Sequence, residues 1–312
     1  MTSHRLEPAR QTLHGHFSRA LAPVLTIDSG DTVRVRTLDA GWHLAPPPLD
    51  GSPRRHFEPR DAVLDAGHPI CGPIAVRGAE PGMTLEIELL EIVPGAWGWT
   101  RGGGWSSPVN THFGLDDGQD ELLVWSLDAT RGVARDQHGH EVTMRPFLGL
   151  IGVAPPEPGV HSTIPPRRWG GNMDCRELVA GSRLRLPVGV PGALLSLGDG
   201  HAAQGDGEVS GVGIECPMER VELRITLDAA PAPRAPIAET PAGTVTLGFG
   251  DTLDAAALEA LEGMLGVLEA RHGVGRRQAI ALASTVVSLR VSQIVNQVVG
   301  VHAVLPPGAI RG

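Results

Sequence analysis

The sequence predicts an α+β protein that is predominantly β, with β-sandwich or barrel-like sheets and a small helical C-terminal part. Three observations predict it. Short runs alternating apolar and charged residues recur between positions 30 and 227, the period of half-buried strands. Gly (41) and Pro (27) fill more than a fifth of the 312 residues without a collagen-like period, a density of turn formers that suits many short strands joined by tight loops. Helical spacing of apolar residues appears only after position 250.

Taken in order, Ser29-Gly30-Asp31 is a turn before Val33-Arg34-Val35-Arg36, an alternating strand. Pro46-Pro47-Pro48 through Pro53-Arg54-Arg55 is loop, because closely spaced prolines preclude regular pairing. Ile70–Val76 and Leu85–Leu89 are strands, and Ala79-Glu80-Pro81-Gly82 between them is a hairpin-like cue. Residues 94–120 read as a Gly/Trp-rich loop. Trp97, Trp99 and Trp105 around Gly102-Gly103-Gly104 suit a substrate-facing loop, an oligomer contact or a surface loop pinned by its indoles. Pro155–Gly159 and Pro165–Arg168 bound a second loop that runs into Gly170–Cys175. Leu184–Val188, Ala193–Leu197 and Val221–Leu227 are further strands, the last with the clearest alternation.

Ala229–Pro241 is an Ala/Pro-rich connector, so the chain divides into a mainly β domain over 1–228 carrying the site and a C-terminal region over 229–312 packed on it. Two helices belong to that region. Leu258, Leu261, Leu265 and Leu268 recur at helical spacing behind Asp254, with Gly273 as the stop. A second helix spans Arg276 to Val298, with Val287, Val291, Ile294 and Val298 on one stripe.

Composition narrows the function. A hydrophobic content of 41% and a charged content of 20% are those of a globular protein. The net charge of −9 argues against nucleic acid or an anionic membrane as partner. No apolar run reaches the ~18 residues of a membrane span, and the first thirty residues lack the apolar core of a secretory signal, so a reduced cytoplasm is the expected compartment. Cys71, Cys175 and Cys216 are odd in number and form no Cys-x-x-Cys pair, which indicates neither a disulfide scaffold nor a cysteine zinc site. All 26 basic residues are arginine. Ser–Lys and Cys–Glu–Lys amidase chemistry, Schiff bases and a P-loop lysine are therefore excluded.

The segment Gly198-Asp199-Gly200-His201-Ala202-Ala203-Gln204-Gly205-Asp206-Gly207-Glu208 concentrates the chemistry. In extended backbone, residues two apart share a face, so Asp199 can meet His201, and Asp206 can meet Glu208. An imidazole beside carboxylates is the usual ligand set for a cation that activates water. A Gly/Asp-rich surface turn is the plainer alternative.

His68-Pro69-Ile70-Cys71-Gly72-Pro73-Ile74, Gly78–Gly82, Gly170-Gly171-Asn172-Met173-Asp174, Gly198–Glu208, Gly213-Ile214-Glu215-Cys216-Pro217-Met218 and Gly300–Pro306 together resemble the acetamidase/formamidase family, in the family's order and over nearly the whole chain. The resemblance implies hydrolysis of small linear amides to carboxylate and ammonia, a β-rich α+β fold, a homo-oligomer and a divalent metal, usually zinc; it extends the substrate class to lactams. The residues agree. Lysine is absent and no Gly-x-Ser-x-Gly elbow supports a serine nucleophile, so water activated by a metal is the economical choice. Asp174, Asp199 and His201 are assigned as metal ligands, which leaves an open position for water. Glu208 is the general base and acid, and His68 a fourth ligand or second acid. Asn172 and Gln204 can both donate and accept, which suits a substrate amide. Calcium, which favours carboxylates and amides, is the candidate for a second site. Asp206 as a turn former, Cys175 as a core residue, Cys216 as a thiol nucleophile and a non-catalytic structural metal site remain alternatives.

Overall fold

The computed structural model describes residues 1–50 and 52–311. A nine-stranded sheet runs in the order Ser3–Leu6, Thr32–Val35, Met218–Asp228, Thr84–Pro94, Arg183–Pro187, Ile237–Thr240, Gly243–Gly250, Val298–Leu305, Ser288–Asn296. A six-stranded sheet is built from Gly170–Asn172, Phe147–Gly152, Leu195–His201, Ile70–Val76, Leu13–His14 and Leu25–Ile27. A four-stranded sheet of Glu141–Thr143, Val133–Asp136, Asp120–Asp128 and Trp97–Gly103 flanks them.

Residue pattern explains the layering. In Thr84–Pro94, Leu85, Ile87 and Leu89 are buried, while Glu86 and Glu88 alternate outward. There Glu86 accepts from Arg185 at 2.8 Å and Glu88 from Arg224 at 2.6 Å on the neighbouring strands. The inward residues share one core with Cys71, Ile74, Leu148, Ile151, Leu195 and Leu197 of the six-stranded sheet. Every residue of Ile70–Val76, Phe147–Gly152 and Leu195–His201 is buried, so this sheet is covered on both faces.

That contrast corrects the hairpin expectation. The turn at Ala79–Gly82 forms, but it passes the chain from the six-stranded sheet to the nine-stranded one. A run apolar on both faces belongs in the covered layer, and an alternating run in the half-exposed one. Part of the Gly/Trp-rich segment is also strand rather than loop. Trp97–Gly103 pairs antiparallel with Asp120–Asp128, and Gly98 lets it close on its neighbour, since a Cβ there would lie 2.7 Å from Ile214. The strand expected from Ala193 begins at Leu195, because Ala193 and Leu194 turn with φ of 61° and 56°.

The first helix forms as Leu253–His272. Thr252 accepts from the Ala255 N–H at its start, and Gly273 closes it with φ 64°. Its inner stripe is Ala256, Ala260, Met264 and Leu268, and Leu258 is exposed. Small residues let it lie on the sheet at Gly248, where a Cβ would come within 2.1 Å of the Ala256 carbonyl. The second helix is shorter than expected. It covers Arg276–Val286 and gives way to the strands Ser288–Asn296 and Val298–Leu305. Val287, Val291, Ile294, Val295, Val298 and Val299 are β-branched, and a paired strand suits such side chains better than a helix does. Gln297 makes the tight turn at φ 68°. Among the described residues, no helix is long and apolar enough to cross a membrane.

Candidate metal centre

The strand Leu195–His201 brings Asp199 and His201 into the interior, with 2% and 1% exposure. The next strand, Phe147–Gly152, supplies Gly149, whose carbonyl accepts from the backbone N–H of Asp174 at 3.2 Å. The turn after Leu195–His201 delivers Glu208, and the following segment pairs back on His201 and delivers Glu215. Asp174, Asp199 and Glu208 have φ of 46°, 57° and 46°, three of the seven non-glycine residues in the left-handed region among the described residues. Backbone strain is concentrated on the acids of this site, as at functional sites generally.

His201 is fixed from two sides. Phe147 packs edge-on to its ring at 5.1 Å, and Nδ1 donates to Oε1 of Gln204 at 2.7 Å. Gln204 Nε2 donates to the Asp174 carbonyl at 3.0 Å and the Ser292 carbonyl at 3.3 Å, which sets the amide's orientation. His201 Nε2 is left facing Glu215 Oε1 at 3.0 Å and Asp199 Oδ1 at 3.5 Å. Asp174 Oδ2 accepts from Asn296 Nδ2 at 2.6 Å.

Among the described residues, two groups that could hold a cation share His201, namely Asp174, Asp199, His201 and His201, Glu208, Glu215; in each the donor atoms lie within 4.8 Å of one another. Asp174 Oδ1, Asp199 Oδ1, Glu208 Oε2, Glu215 Oε2 and Asn172 Oδ1 are buried without a hydrogen-bond partner. Buried acceptors are almost always satisfied, so their convergence here calls for a ligand. Gly149 lets two of these acids close on the strand. A Cβ at that position would lie 2.5 Å from Asp174 Oδ1 and 2.6 Å from Asp199 Oδ2.

The electrostatics agree. Burial, reinforced by Glu208 and Asp199, drives the Asp174 carboxyl well above its usual range. Burial also pushes Glu208 up to about 8 and Glu215 up to about 7, against the pull of His201. Burial opposes ionisation of Asp199 too, but His201 and then His68 outweigh it and hold its pKa low. His201 is raised well above its usual value, because Glu215 and Asp199 overcome the burial that would lower it. Four carboxyl groups around one imidazole lack positive charge, and a divalent cation fits that deficit.

Other expected residues have different surroundings. Gln204, expected at the substrate amide, has both ends of its own amide engaged and instead orients His201 and Asp174. Asp206 is exposed. His68 is only partly buried and bonds Thr163 Oγ1 through its N–H at 2.9 Å and its Nδ1 at 3.2 Å. Cys175 and Cys216 are buried, and burial raises both thiols, Cys175 to about 12. A thiol so raised makes a poor nucleophile. Trp99 borders the site through backbone bonds to Glu215 at 2.9 Å in both directions, and its indole N–H donates to Asp39 at 2.7 Å.

Sequence reasoning missed Glu215 and Asn296. Glu215 carried a signal, a single acid inside the apolar run Val212–Met218. Asn296 carried none, because its segment reads as helix.

A family model described as the acetamidase/formamidase family matches residues 2–158 and 159–229. The chain belongs to the acetamidase/formamidase family. A putative formamidase of Schizosaccharomyces pombe is 28% identical over 64% of this chain and 60% of its own length. An acetamidase of Mycolicibacterium smegmatis is 31% identical over 48% of this chain and 51% of its own. The chain thus spans about half to three fifths of the length of these curated relatives. The crystal structure of an acetamidase from Bacillus halodurans superposes with a TM-score of 0.82 at 29% identity, covering 97% of each chain.

Proposed function

We propose that this chain hydrolyses the C–N bond of small linear amides, of formamide or acetamide size, to carboxylate and ammonia, using a divalent cation, with zinc the first candidate. The observation that carries this reading is the clustering of buried carboxylates with unpartnered oxygens around His201, the donor atoms of Asp174, Asp199 and His201 lying within 4.8 Å of one another. Family membership and the named relatives support the substrate class.

Asp174, Asp199 and His201 would hold the ion, and when bound it supplies the Lewis acidity that acidifies water and steadies negative charge on a carbonyl oxygen. Calcium, which favours carboxylate and amide oxygens, is the candidate for a second site. The remaining chemistry belongs to the chain. Glu208 takes the proton from water as the C–O bond forms, and returns it to nitrogen as the C–N bond breaks. Its burial raises its proton affinity, so the carboxylate, once ionised, is a stronger base and then holds the proton until nitrogen takes it. Asn172 Oδ1, buried and unpartnered, accepts an N–H of the substrate amide. His68 at the margin is a second acid. Burial of the cluster excludes bulk water and strengthens each of these contacts. Three free buried cysteines support a reduced, cytoplasmic setting, and a homo-oligomer is the assembly to test by gel filtration.

The test is ammonia release from formamide, acetamide and a small lactam, before chelation, after it, and after zinc is returned. Loss and recovery with a linear amide support the reading, and His201→Ala should abolish turnover and metal retention together. A preference for the lactam would move the substrate class to cyclic amides. A metal that raises the Tm while no amide is cleaved would refute the enzymatic reading in favour of a structural site.

A further inference from the structure

The family match ends at residue 229, yet the strand Ser288–Asn296 reaches the site from the far end of the chain. Its Ser292 carbonyl accepts from Gln204 Nε2 at 3.3 Å and from the Gly207 N–H at 3.2 Å, and the Ile294 N–H donates to the Gly207 carbonyl at 3.2 Å. Arg290 donates to the buried Glu177 at 2.8 Å, three residues beyond Asp174. Asn296 ends the strand with its Nδ2 at 2.6 Å from Asp174 Oδ2.

The tip that presents Asn296 is rigid. Gln293, with no exposed surface, accepts from the N–H groups of Val295 at 2.8 Å and Asn296 at 3.1 Å, and donates to the Val298 carbonyl at 2.9 Å. Asn296 itself is 9% exposed, so water competes poorly for its bond. The consequence falls on the other carboxylate oxygen. With Oδ2 held by Asn296, Oδ1 is turned without a partner toward Gly149.

We propose that Asn296 is a positioning residue for the metal centre, fixing which oxygen of Asp174 faces the cation. An amide suits this role because it donates firmly to a carboxylate yet brings no charge that would draw the cation aside. Asn296 acts through Asp174 and does not touch the substrate. Partners of this kind, behind a ligand, are worth about 10–100-fold in metal affinity. This inference rests on the reading of Asp174 as a ligand.

The test compares wild type with Asn296→Leu, which keeps the size and removes the donor. Zinc affinity is read by competition with a chromophoric chelator, beside the Tm of the metal-free protein and the kcat and KM for acetamide. Zinc should bind about 10–100-fold more weakly, kcat should fall at limiting zinc, KM should stay within about twofold, and the metal-free Tm should hold. Zinc affinity within about twofold of wild type overturns the proposal, as does a loss that appears only in the metal-free Tm. Should the leucine variant fail to fold, Asn296→Ser carries the same readouts. A wild type that binds zinc without releasing ammonia refutes the amide reading and leaves the zinc readout for Asn296 intact. A wild type that binds no divalent ion overturns both.

Discussion

Replacing Gly149 by alanine puts a single methyl group into the centre of the site. The new Cβ would lie 2.5 Å from Asp174 Oδ1, 2.6 Å from Asp199 Oδ2 and 3.1 Å from His201 Cε1. Contacts of about 3.5 Å are the comfortable minimum, so both carboxylates must retreat by most of an ångström. The φ of Gly149 lies outside the left-handed region, so alanine suffers no backbone penalty there. The cost to stability is then one of local overpacking, about 1–3 kcal/mol, which lowers the Tm of a protein this size by only several degrees. The cost to function is larger. Displacement of reacting groups by about 1 Å lowers rates by about 100-fold, equivalent to about 3 kcal/mol in the barrier. The assay is ammonia release together with zinc content after dialysis and thermal melting of each form. A folded Gly149→Ala protein that keeps zinc and turns over within about threefold of wild type would refute the reasoning, since the carboxylates packed on Gly149 would then not be what holds the cation.

Gln204→Leu should lower zinc affinity by about 10–100-fold, because His201 loses the acceptor for Nδ1 and the Asp174 carbonyl loses a donor; equilibrium dialysis reads this, and unchanged affinity would show that Gln204 orients nothing. Acid should destabilise the fold through His14, which burial lowers to about 4. Below about 6.5 the unfolded chain takes up a proton that folded His14 refuses, so stability is lost as the pH falls from 6.5 toward 4, by about 2 kcal/mol at pH 5. His302, also lowered by burial to about 4, acts in the same direction. Denaturant midpoints of wild type and His14→Gln at pH 7 and pH 5 test this, and an equal acid loss in both proteins would contradict the assignment.

Much of the architecture is legible along the chain because it rests on local periodicity. Alternation in residues 85–89 and 221–227 marks half-exposed strands, and Asp254 and Gly273 bound a helix that the structure confirms. Asp199 and His201 are legible as a pair because one strand carries both. The C-terminal hairpin is not legible in this way, since Val287, Val291, Ile294 and Val298 fit a helical stripe as well as they fit two strands, and only pairing along Val298–Leu305 decides between them.

The sequence by itself determined the fold class, the exclusion of lysine chemistry and the ligand types gathered in Gly198–Glu208, because composition and short spacing are local properties. Tertiary structure alone decided what surrounds those side chains. It turned the chain between sheets after Val76, brought Asp174 to Asp199 across Gly149, set Gln204 against His201, and added Glu215 and Asn296. The physical reason is that a buried carboxylate is defined by the partners it meets. Asn296 stands 122 positions from Asp174 in sequence, and only the folded sheet sets them 2.6 Å apart.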